Sequence, residues 1–559
     1  MKNDRLIQRI WDHDYTLWKP EPREISNRLD WLSAPAAMAA ALPELNGFTA
    51  DILQEDFSQV VLLGMGGSSL APEMFSRVFD RPAGYLPLKV LDSTHPAAVM
   101  ECAAASPPDQ TLYIVSTKSG GTEETLSFFR YFYNLLTENA GVAKAGAHFI
   151  AITDPGSSLE GLAAEFQFRK VFLNNPNLGG RFSAFSYFGL VPAALCGVDL
   201  PLLVEDAQAL ARQCEPDVSP RRNPAAQLAA FMVSNLYAGR DKLTFILPER
   251  LASFGDWVEQ LIAESLGKEG KSILPVVHEI LGAPNEYRHD RQFVHLDLLG
   301  HTSPAETTAM QALKQSGYPL LRLELRDRFD IGGQIYLWEL AVAIIGHFMG
   351  INPFDQPNVE SAKVRARQMV MAYKETGALS SSPPLLEKDG VAVFTPEEGG
   401  FAKTNAAAVA AGTLQTADQI LRLFLDQAQD GDYIALQAFL QPSQANRQAL
   451  EALRLQLRRQ TGLAVVLGFG PRFLHSTGQL HKGDRGNGLF IQITDEPGID
   501  APIPERAGER ASALGFKVLL HAQVLGDGKA LADAGRRMLR LHFYTDPAEG
   551  LIRLANTLT

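Results

Sequence analysis

Residues 111–136 constrain the fold of this chain more than any other stretch. Residues 112–115 form a short apolar run typical of a buried strand, and residues 126–136 have the pattern of a helix. Between them lies a turn of small and hydroxyl residues with one lysine. A helix that begins at such a turn presents free backbone N–H groups and a partial positive charge, which suit a bound anion. The side chains that could add donors or charge are Thr117, Lys118, Ser119 and Thr122.

This turn has two interpretations. It could cradle a phosphate, or it could be a capped turn whose hydroxyls face water, since Ser/Thr turns are common. Residues 59–72 form a second unit of the same kind, a predicted strand followed by a turn with Gly67 and Ser68. Glycines there let backbone N–H groups approach a ligand closely. The spacing does not fit a dinucleotide-binding loop, because Leu70 stands where the third glycine belongs, and no Gly-Lys-Ser/Thr follows as in a P-loop.

Strand and helix patterns alternate along the chain at the spacing of α/β proteins. We therefore predict doubly wound parallel sheets with helices on both faces, and ligands at the carboxyl ends of the strands, where both Gly/Ser turns lie. The predicted units are an N-terminal domain with a helical arm over residues 1–200, a second domain over 201–385 and a C-terminal α/β domain over 386–559. In the last unit, residues 532–540 predict a basic helix.

The composition limits the function classes. A net charge of −12 argues against broad binding of nucleic acids or anionic membranes, but not against an anionic small molecule in a local pocket. The three cysteines show neither metal spacing nor a disulfide framework. There is no run of 18 apolar residues and no signal peptide, so we expect a cytoplasmic protein that does not enter a membrane.

Three further segments carry candidate site residues. Arg181 follows Gly179 and Gly180 at a predicted helix start, where it could reach a developing oxyanion or could simply lie at the surface near a cap. Glu264 lies in the last turn of a predicted helix, where a carboxylate opposes the helix dipole. The spacing of Gln356, Glu360 and Lys363 places them on one face of a helix.

The tail contains a loop rich in Gly, Ser and Thr that carries His475 and His481. Polar residues on such a loop are better candidates for function than for a core.

Taken together, these segments resemble the phosphoglucose isomerase family. Residues 64–72 are similar to its Gly-x-Gly-Gly-Ser loop, and residues 117–125 to its Ser-Lys-Thr-x-Thr-Thr-x-Glu-Thr phosphate loop. Residues 179–183 match its Gly-Gly-Arg-Tyr/Phe-Ser signature. Residues 264–268 resemble Glu-Ser-Asn-Gly-Lys with Leu266 in place of Asn, and residues 354–363 resemble Phe-Asp-Gln-x-x-Val-Glu-x-x-Lys.

The chain departs from common family members in one respect. They carry a Gly-Gln-His loop between the glutamate and lysine motifs, whereas this chain has His289 followed by Asp290 and Arg291. A similar context appears in the tail around Gln479. This arrangement looks like the isomerase half of fused transaldolase–phosphoglucose isomerases, although no transaldolase portion is visible.

The resemblance implies two domains of the sugar isomerase (SIS) type plus the C-terminal extension, and the interconversion of glucose 6-phosphate and fructose 6-phosphate. It implies that Glu264 moves the proton between C2 and C1 and that Arg181 stabilises the enediolate. Lys363 and a histidine would open the sugar ring, with His481 favoured, His475 second and His289 third. The expected substrate and phosphate contacts are Gly67, Ser68, Thr117, Lys118, Ser119, Thr122, Gly180 and Gln356.

The expected partner is a small sugar phosphate, and neither a cofactor nor a metal is required. The ring-opening histidine could come from the same subunit or from a neighbour in a homodimer. Two alternatives stand beside this prediction: a non-catalytic sugar-phosphate sensor with the same two sheet domains, and an isomerase that also accepts mannose 6-phosphate. The sensor would not need Glu264, Arg181 and Lys363 together.

Overall fold

The computed structural model describes residues 5–141, 145–379, 382–396 and 400–558. It has the mixed α/β architecture with parallel sheets that the sequence predicts, so the fold class is confirmed. The α-helices are α1 (Leu6–Trp11), α2 (Ala34–Leu53), α3 (Leu70–Val78), α4 (Pro96–Ala104), α5 (Glu123–Ala140), α6 (Ser158–Glu165), α7 (Tyr187–Leu195), α8 (Leu200–Gln213), α9 (Pro224–Tyr237), α10 (Ala252–Leu266), α11 (Pro304–Gln315), α12 (Ile331–Met349), α13 (Val359–Thr376), α14 (Gly400–Ala410), α15 (Ala417–Leu425), α16 (Gln444–Thr461), α17 (Gly478–Gly483), α18 (Phe516–Asp533) and α19 (Pro547–Thr557). The strands are β1 (Gln59–Gly64), β2 (Leu88–Leu91), β3 (Thr111–Ser116), β4 (Phe149–Thr153), β5 (Lys170–Leu173), β6 (Lys242–Ile246), β7 (Leu274–Val276), β8 (Arg291–Leu298), β9 (Leu320–Leu325), β10 (Leu386–Lys388), β11 (Val391–Phe394), β12 (Tyr433–Phe439), β13 (Ala464–Phe469), β14 (Gly488–Asp495), β15 (Pro502–Ile503), β16 (Leu514–Gly515) and β17 (Arg537–Phe543).

The first sheet is parallel and has the order β2-β1-β3-β4-β5. Its central strands β1 and β3 are buried along nearly their whole length, as their apolar runs require. Gly64, at the end of β1, pairs with Ser116, at the end of β3. The two Gly/Ser turns therefore leave the sheet side by side at its carboxyl edge.

The second sheet is also parallel, with the order β7-β6-β8-β9. One large apolar core covers faces of the first and second sheets and includes most of α12. Within the described part of the chain, residues Arg328–Met349 are the one helical segment long and apolar enough to cross a membrane, and 89% of its apolar window is buried inside the protein.

The third sheet has the order β10-β11-β17-β14-β12-β13 and mixes two pairing directions. Strands β17, β14, β12 and β13 are mutually parallel, whereas β10 and β11 pair antiparallel at one edge. The basic helix predicted for residues 532–540 is wrong. Helix α18 ends at Asp533, and Arg537–Phe543 is an inner strand of this sheet whose basic residues alternate with buried Met538, Leu539 and Leu541.

The tail packs into the other two units through helices. Helix α18 lies along α13, and the short helix α17 lies against the C-terminal end of α10. Gly267, just beyond α10, allows this contact, because a Cβ at that position would lie 2.4 Å from the Cβ of Leu480. The tail therefore borders the segments that carry Glu264 and Lys363.

Candidate active site

A cavity of about 580 Å³ lies where the three units meet. Helix α5 contributes its N-terminal turn, α13 one face, and the tail contributes the loop before α17 and part of α18. Among the residues predicted from the sequence, those that line the cavity are Ser119, Thr122, Lys363 and His475. The structure thus brings together the turn before α5, helix α13 with Lys363, and the tail.

The turn before α5 is held by its own hydroxyl groups. The Oγ1 atoms of Thr117 and Thr122 are 2.8 Å apart, and the backbone N–H of Gly121 donates to Ser119 Oγ over 3.3 Å. Lys118 points elsewhere, since its ammonium pairs with Asp154 and donates to the carbonyl of Pro176 over 3.0 Å. Ser119 and Thr122 therefore face the cavity, whereas the charge of Lys118 is largely neutralised.

The second Gly/Ser turn packs against the turn that carries Arg181. A Cβ at Gly67 would lie 2.0 Å from the carbonyl oxygen of Gly180, so glycine is needed for this close approach. Gly66 has φ +57° and faces the carbonyl of His475. Ser68 is buried and its carbonyl accepts from Ser116 Oγ over 3.1 Å. Gly66 and Gly67 therefore pack directly against the segments that carry His475 and Arg181, respectively.

Arg181 is buried and almost fully hydrogen-bonded. Its Nε donates to Ser265 Oγ over 2.7 Å, and its Nη2 donates to the carbonyls of Pro353 and Asp355 over 2.7 and 3.0 Å. Its Nη1 donates to Gln356 Oε1 over 3.0 Å. Four of its five N–H groups are thus used. The fifth is on Nη1, which lies 3.6 Å from Glu264 Oε2.

Burial lowers the pKa of Arg181, an effect that Glu264 and Asp355 oppose. An arginine normally stays charged throughout the physiological range. Arg181 is therefore a fixed cation, held by backbone carbonyls and aimed at the Glu264 carboxylate.

Glu264 keeps 8% of its surface exposed, although it lies in the last turn of a buried helix. One turn earlier, Gln260 donates from Nε2 to Glu264 Oε2 over 3.2 Å and to the carbonyl of His475 over 2.9 Å. Gln260 Oε1 is buried and has no hydrogen bond to the described residues. Gln260 therefore joins the carboxylate to the histidine loop and leaves a free acceptor between them.

His475 pairs with Glu124, which lies in the first turn of α5. Its Nε2 lies 3.0 Å from Glu124 Oε1, and Gln523 Nε2 donates to the same oxygen over 2.8 Å. Burial raises the pKa of Glu124, but the charge and hydrogen bond of His475 outweigh it, and the pKa falls to about 2. An ionised carboxylate accepts hydrogen bonds only, so His475 carries its proton on Nε2 in this pair. Its Nδ1 is then the atom available for proton exchange.

His481 occupies a different environment. It is 2% exposed, its Nδ1 lies 3.1 Å from Gln437 Nε2, and its ring packs between Phe473 and Phe490. Burial lowers its pKa well below the usual 6.5, aided by Lys482 and Arg536. His481 is not among the residues that line the cavity, whereas His475 is. The structure therefore separates the two tail histidines and places the second-ranked one beside the phosphate turn. His289, ranked third, stacks on Tyr318 instead, with ring centroids 6.3 Å apart.

The segment before α13, which includes Asp355 and Asn358, is held by hydrogen bonds from the tail and from a buried lysine. Gln479 donates to the carbonyl of Gly267 over 3.0 Å and to Asn358 Oδ1 over 2.8 Å. Lys268 lies 2.8 Å from Asp355 Oδ1 and also contacts its carbonyl. Burial lowers the pKa of Lys268 to about 8, and the charge of Arg181 adds to this shift.

Four residues of this arrangement were not predicted as site residues: Glu124, Gln260, Lys268 and Gln523. For three of them, the position in the sequence could have identified them as site residues. Glu124 lies in the first turn after the phosphate turn, Gln260 lies four residues before Glu264 on the same helix face, and Lys268 closes the glutamate motif. Gln523 had none, because its role depends on α18 reaching the first sheet from almost 400 residues away.

Among the described residues, no group of three or more His, Cys, Asp or Glu side chains could hold a metal ion. The ionisable groups of this site are carboxylates, one arginine, one histidine and two lysines, Lys268 and Lys363.

Comparison with known proteins places this geometry in context. Residues 45–275 match the family model described as phosphoglucose isomerase. A glucose-6-phosphate isomerase from Geobacter sp. (strain M21) is 29% identical over 388 residues, which covers 61% of this chain and 72% of the relative. One from Carboxydothermus hydrogenoformans is 29% identical over 374 residues, covering 56% and 79% respectively.

Solved structures share the fold. The crystal structure of a glucose-6-phosphate isomerase from Chlamydia trachomatis has a TM-score of 0.55 and 20% identity, with 67% of this chain and 85% of that chain covered. A hypothetical protein from Thermus thermophilus has a TM-score of 0.57 and 23% identity, with 66% and 95% covered. Arg181, Glu264 and Glu124 fall inside the residues of the family match, whereas Lys363 and His475 lie beyond them.

Proposed function

We propose that this chain, which carries a phosphoglucose isomerase domain over residues 45–275, is a glucose-6-phosphate isomerase that interconverts glucose 6-phosphate and fructose 6-phosphate. One observation carries the proposal. The buried carboxylate of Glu264 lies 3.6 Å from a fixed Arg181, and Gln260 joins this pair to the His475–Glu124 pair that lines the cavity. These are the groups that an aldose–ketose isomerisation needs.

The substrate phosphate would bind at the turn before α5. Ser119 and Thr122 line the cavity there, and the backbone N–H groups at the start of an 18-residue helix face the same side. Lys118 would contribute less than the sequence suggested, because Asp154 neutralises it.

Ring opening breaks the C1–O5 bond of the cyclic sugar, delivers a proton to O5 and removes the proton of the C1 hydroxyl. We assign this exchange to His475 and Lys363, the two titratable groups of the predicted set that line the cavity. His475 is held beside the cavity by its contact with Glu124, so we assign the role of acid to it.

Glu264 then removes the proton from C2, and the electrons of that C–H bond form the C1–C2 double bond while O1 gains negative charge. The proton of the O2 hydroxyl passes to O1, and the same carboxylic acid returns its proton to C1 as the carbonyl forms at C2. The remaining N–H of Arg181 Nη1 is available to the enediolate oxygen, and preorganised donors of this kind stabilise developing charge most effectively. A sensor that only binds sugar phosphates would have no use for this buried acid–arginine pair.

The test uses purified protein assayed with fructose 6-phosphate, mannose 6-phosphate and unphosphorylated fructose. We expect glucose 6-phosphate to form from fructose 6-phosphate and nothing to form from fructose. Glu264→Gln protein purified in parallel controls for host isomerase. Wild-type protein with no activity above that control would contradict the proposal, and turnover of mannose 6-phosphate would identify the dual enzyme.

A further inference from the structure

A second cavity, of about 910 Å³, lies on the other side of helix α13. Its walls are α13, α18, the strand β17 and the chain around Phe394. This volume is within the range of small-molecule binding sites. The isomerase chemistry described above makes no use of it.

The charged side chains among the described residues that line this cavity all have the same sign. No acidic residue occurs among the described residues that line it. The cationic side chains in the lining are Arg365, Lys529, Arg536, Arg537 and Arg540. How strongly these cations attract an anion depends on how far carboxylates elsewhere in the protein neutralise them.

Four of these five cations pair with carboxylates that are not among the residues lining the cavity. Arg365 and Lys529 both pair with Asp533, the latter over 3.2 Å. Arg536 lies 3.0 Å from Asp484, and Arg537 lies 2.9 Å from Asp432. These pairs fix the side chains, so the cations are held in place before any ligand arrives.

Arg540 is the exception. Its guanidinium lies 4.1 Å from the centre of the Phe394 ring, and its Nε is buried without a hydrogen bond to any described residue. Burial lowers its pKa to about 10, a value at which it is still charged at neutral pH. The partly buried guanidinium therefore has an Nε–H that a ligand anion could accept from, and such charge-assisted hydrogen bonds are strong.

The rest of the lining suits a flat ring. Phe394 and Phe401 contribute aromatic surface, and Met369 and Met538 contribute polarisable thioethers. Gln492 also lines the cavity, and its Oε1 is buried without a hydrogen bond to the described residues, so it can accept from a ring amino group. Anionic phosphate and a planar, hydrogen-bonding ring occur together in nucleotides.

We propose that this cavity binds a nucleotide, with its phosphates against Arg540 and its base against the aromatic surface. The site is separate from the catalytic cavity but shares two helices with it. Helix α13 turns Lys363 towards the catalytic cavity and Arg365 towards the second one, and α18 does the same with Gln523 and Lys529. Both ligands therefore bind at once.

Isothermal titration calorimetry of the full chain with ATP, AMP and pyrophosphate tests this, with saturating fructose 6-phosphate present to fill the catalytic cavity. We expect ATP to bind the wild-type chain under these conditions and more tightly than pyrophosphate. Arg540→Met should weaken ATP binding at least tenfold and keep isomerase activity, because no described carboxylate loses its partner. Arg553→Met, which removes an exposed arginine from α19, is the matched control and should bind ATP like the wild type.

Arg365→Met provides a second variant if Arg540→Met does not fold, since Lys529 still neutralises Asp533 in it; it too should weaken ATP binding. Three outcomes would overturn the proposal: no heat from ATP with the wild-type chain, displacement of ATP by fructose 6-phosphate, or unchanged ATP affinity in the cavity variants. Pyrophosphate binding as tightly as ATP would overturn the nucleotide assignment in favour of a simple phosphate site. These readouts measure binding, so they stand or fall separately from the isomerase assay.

Discussion

His475 and Glu124 lie 351 positions apart in the sequence and are joined by a hydrogen bond of 3.0 Å. The tail thereby places a titratable group beside the phosphate turn of the first sheet. His481, six residues further on, faces Gln437 and two phenylalanines instead. We therefore expect replacement of His475 to impair ring opening and replacement of His481 to lower stability.

His475→Ala should be slow on the cyclic sugar phosphate and much less impaired when substrate is delivered as the open-chain aldehyde, because only ring opening needs the imidazole. The loss on the cyclic form should be about 10²-fold or more, as is typical of general acid–base groups. His481→Asn should instead lower the melting temperature and leave the cyclic-to-open rate ratio unchanged. The opposite pattern, with the ratio altered only at His481, would restore the order predicted from the sequence.

Glu264→Gln should preserve the fold and substrate binding and reduce turnover by about 10²–10⁴-fold, since the amide cannot carry the proton between C2 and C1. Exchange of solvent tritium into the substrate should disappear with the activity. Glu269→Gln is the matched control, because that residue is exposed and pairs with Lys19 outside the site. Exchange that persists in Glu264→Gln would point to a different base.

The double variant with Thr122→Val and Lys118→Ala should raise KM for fructose 6-phosphate at least tenfold, a loss of about 1.4 kcal/mol. We expect Thr122→Val to account for most of the effect, because Thr122 lines the cavity whereas Lys118 pairs with Asp154. Thr137→Val, later on the same helix, replaces a hydroxyl bonded to Asn134 and serves as control. An unchanged KM in the double variant would show that the substrate phosphate does not bind at this turn.

Glu124 should make the protein acid-sensitive. Its pKa in the fold is about 2, below the usual 4.5, so its stabilisation is present above pH 4.5 and is lost as the pH falls towards 2. Urea unfolding should therefore show the wild type losing about 1 kcal/mol more than Glu124→Gln between pH 5.5 and 3.5. Glu123→Gln, next to it but half exposed, should follow the wild type. Equal losses in all three proteins would mean that the His475 contact does not stabilise the carboxylate.

The local parts of this structure could be predicted from sequence. The strand predicted for residues 59–63 is observed as Gln59–Gly64. A run of β-branched and apolar residues followed by glycines predicts a buried strand from the local pattern alone. The misassigned segment at residues 532–540 shows the limit. Its arginines suggested a basic helix, but Arg536 and Arg537 are neutralised by Asp484 and Asp432, which come from distant segments.

The prediction of which histidine opens the sugar ring was limited in the same way, by contacts from distant segments. Both lie in one loop with similar neighbours in the sequence. What separates them is that Gln437 and Phe490 come from β12 and β14 to cover His481, whereas Glu124 comes from α5 to meet His475. Long-range packing decides this, and a single sequence does not encode it in any local pattern.

Lys268 should set the alkaline limb of the activity profile. Its pKa in the fold is about 8, and its ammonium holds Asp355, whose carbonyl in turn fixes Arg181. Loss of that proton weakens the hold on the arginine, so we expect kcat to fall as the pH rises through about 8. The folding stability should move the other way: between pH 8 and the usual 10.5 the unfolded chain binds more protons, and stability contributed by this group rises with pH. A fall in kcat without a fall in melting temperature would thus identify a catalytic effect.

The Lys268→Arg variant keeps its positive charge at higher pH, so the pH at which kcat falls should rise by at least one unit. Lys271→Arg is the control, because Lys271 lies nearby and donates to the carbonyl of Met349; it should leave that pH unchanged. A limb near pH 8 that survives in Lys268→Arg would assign it to another group.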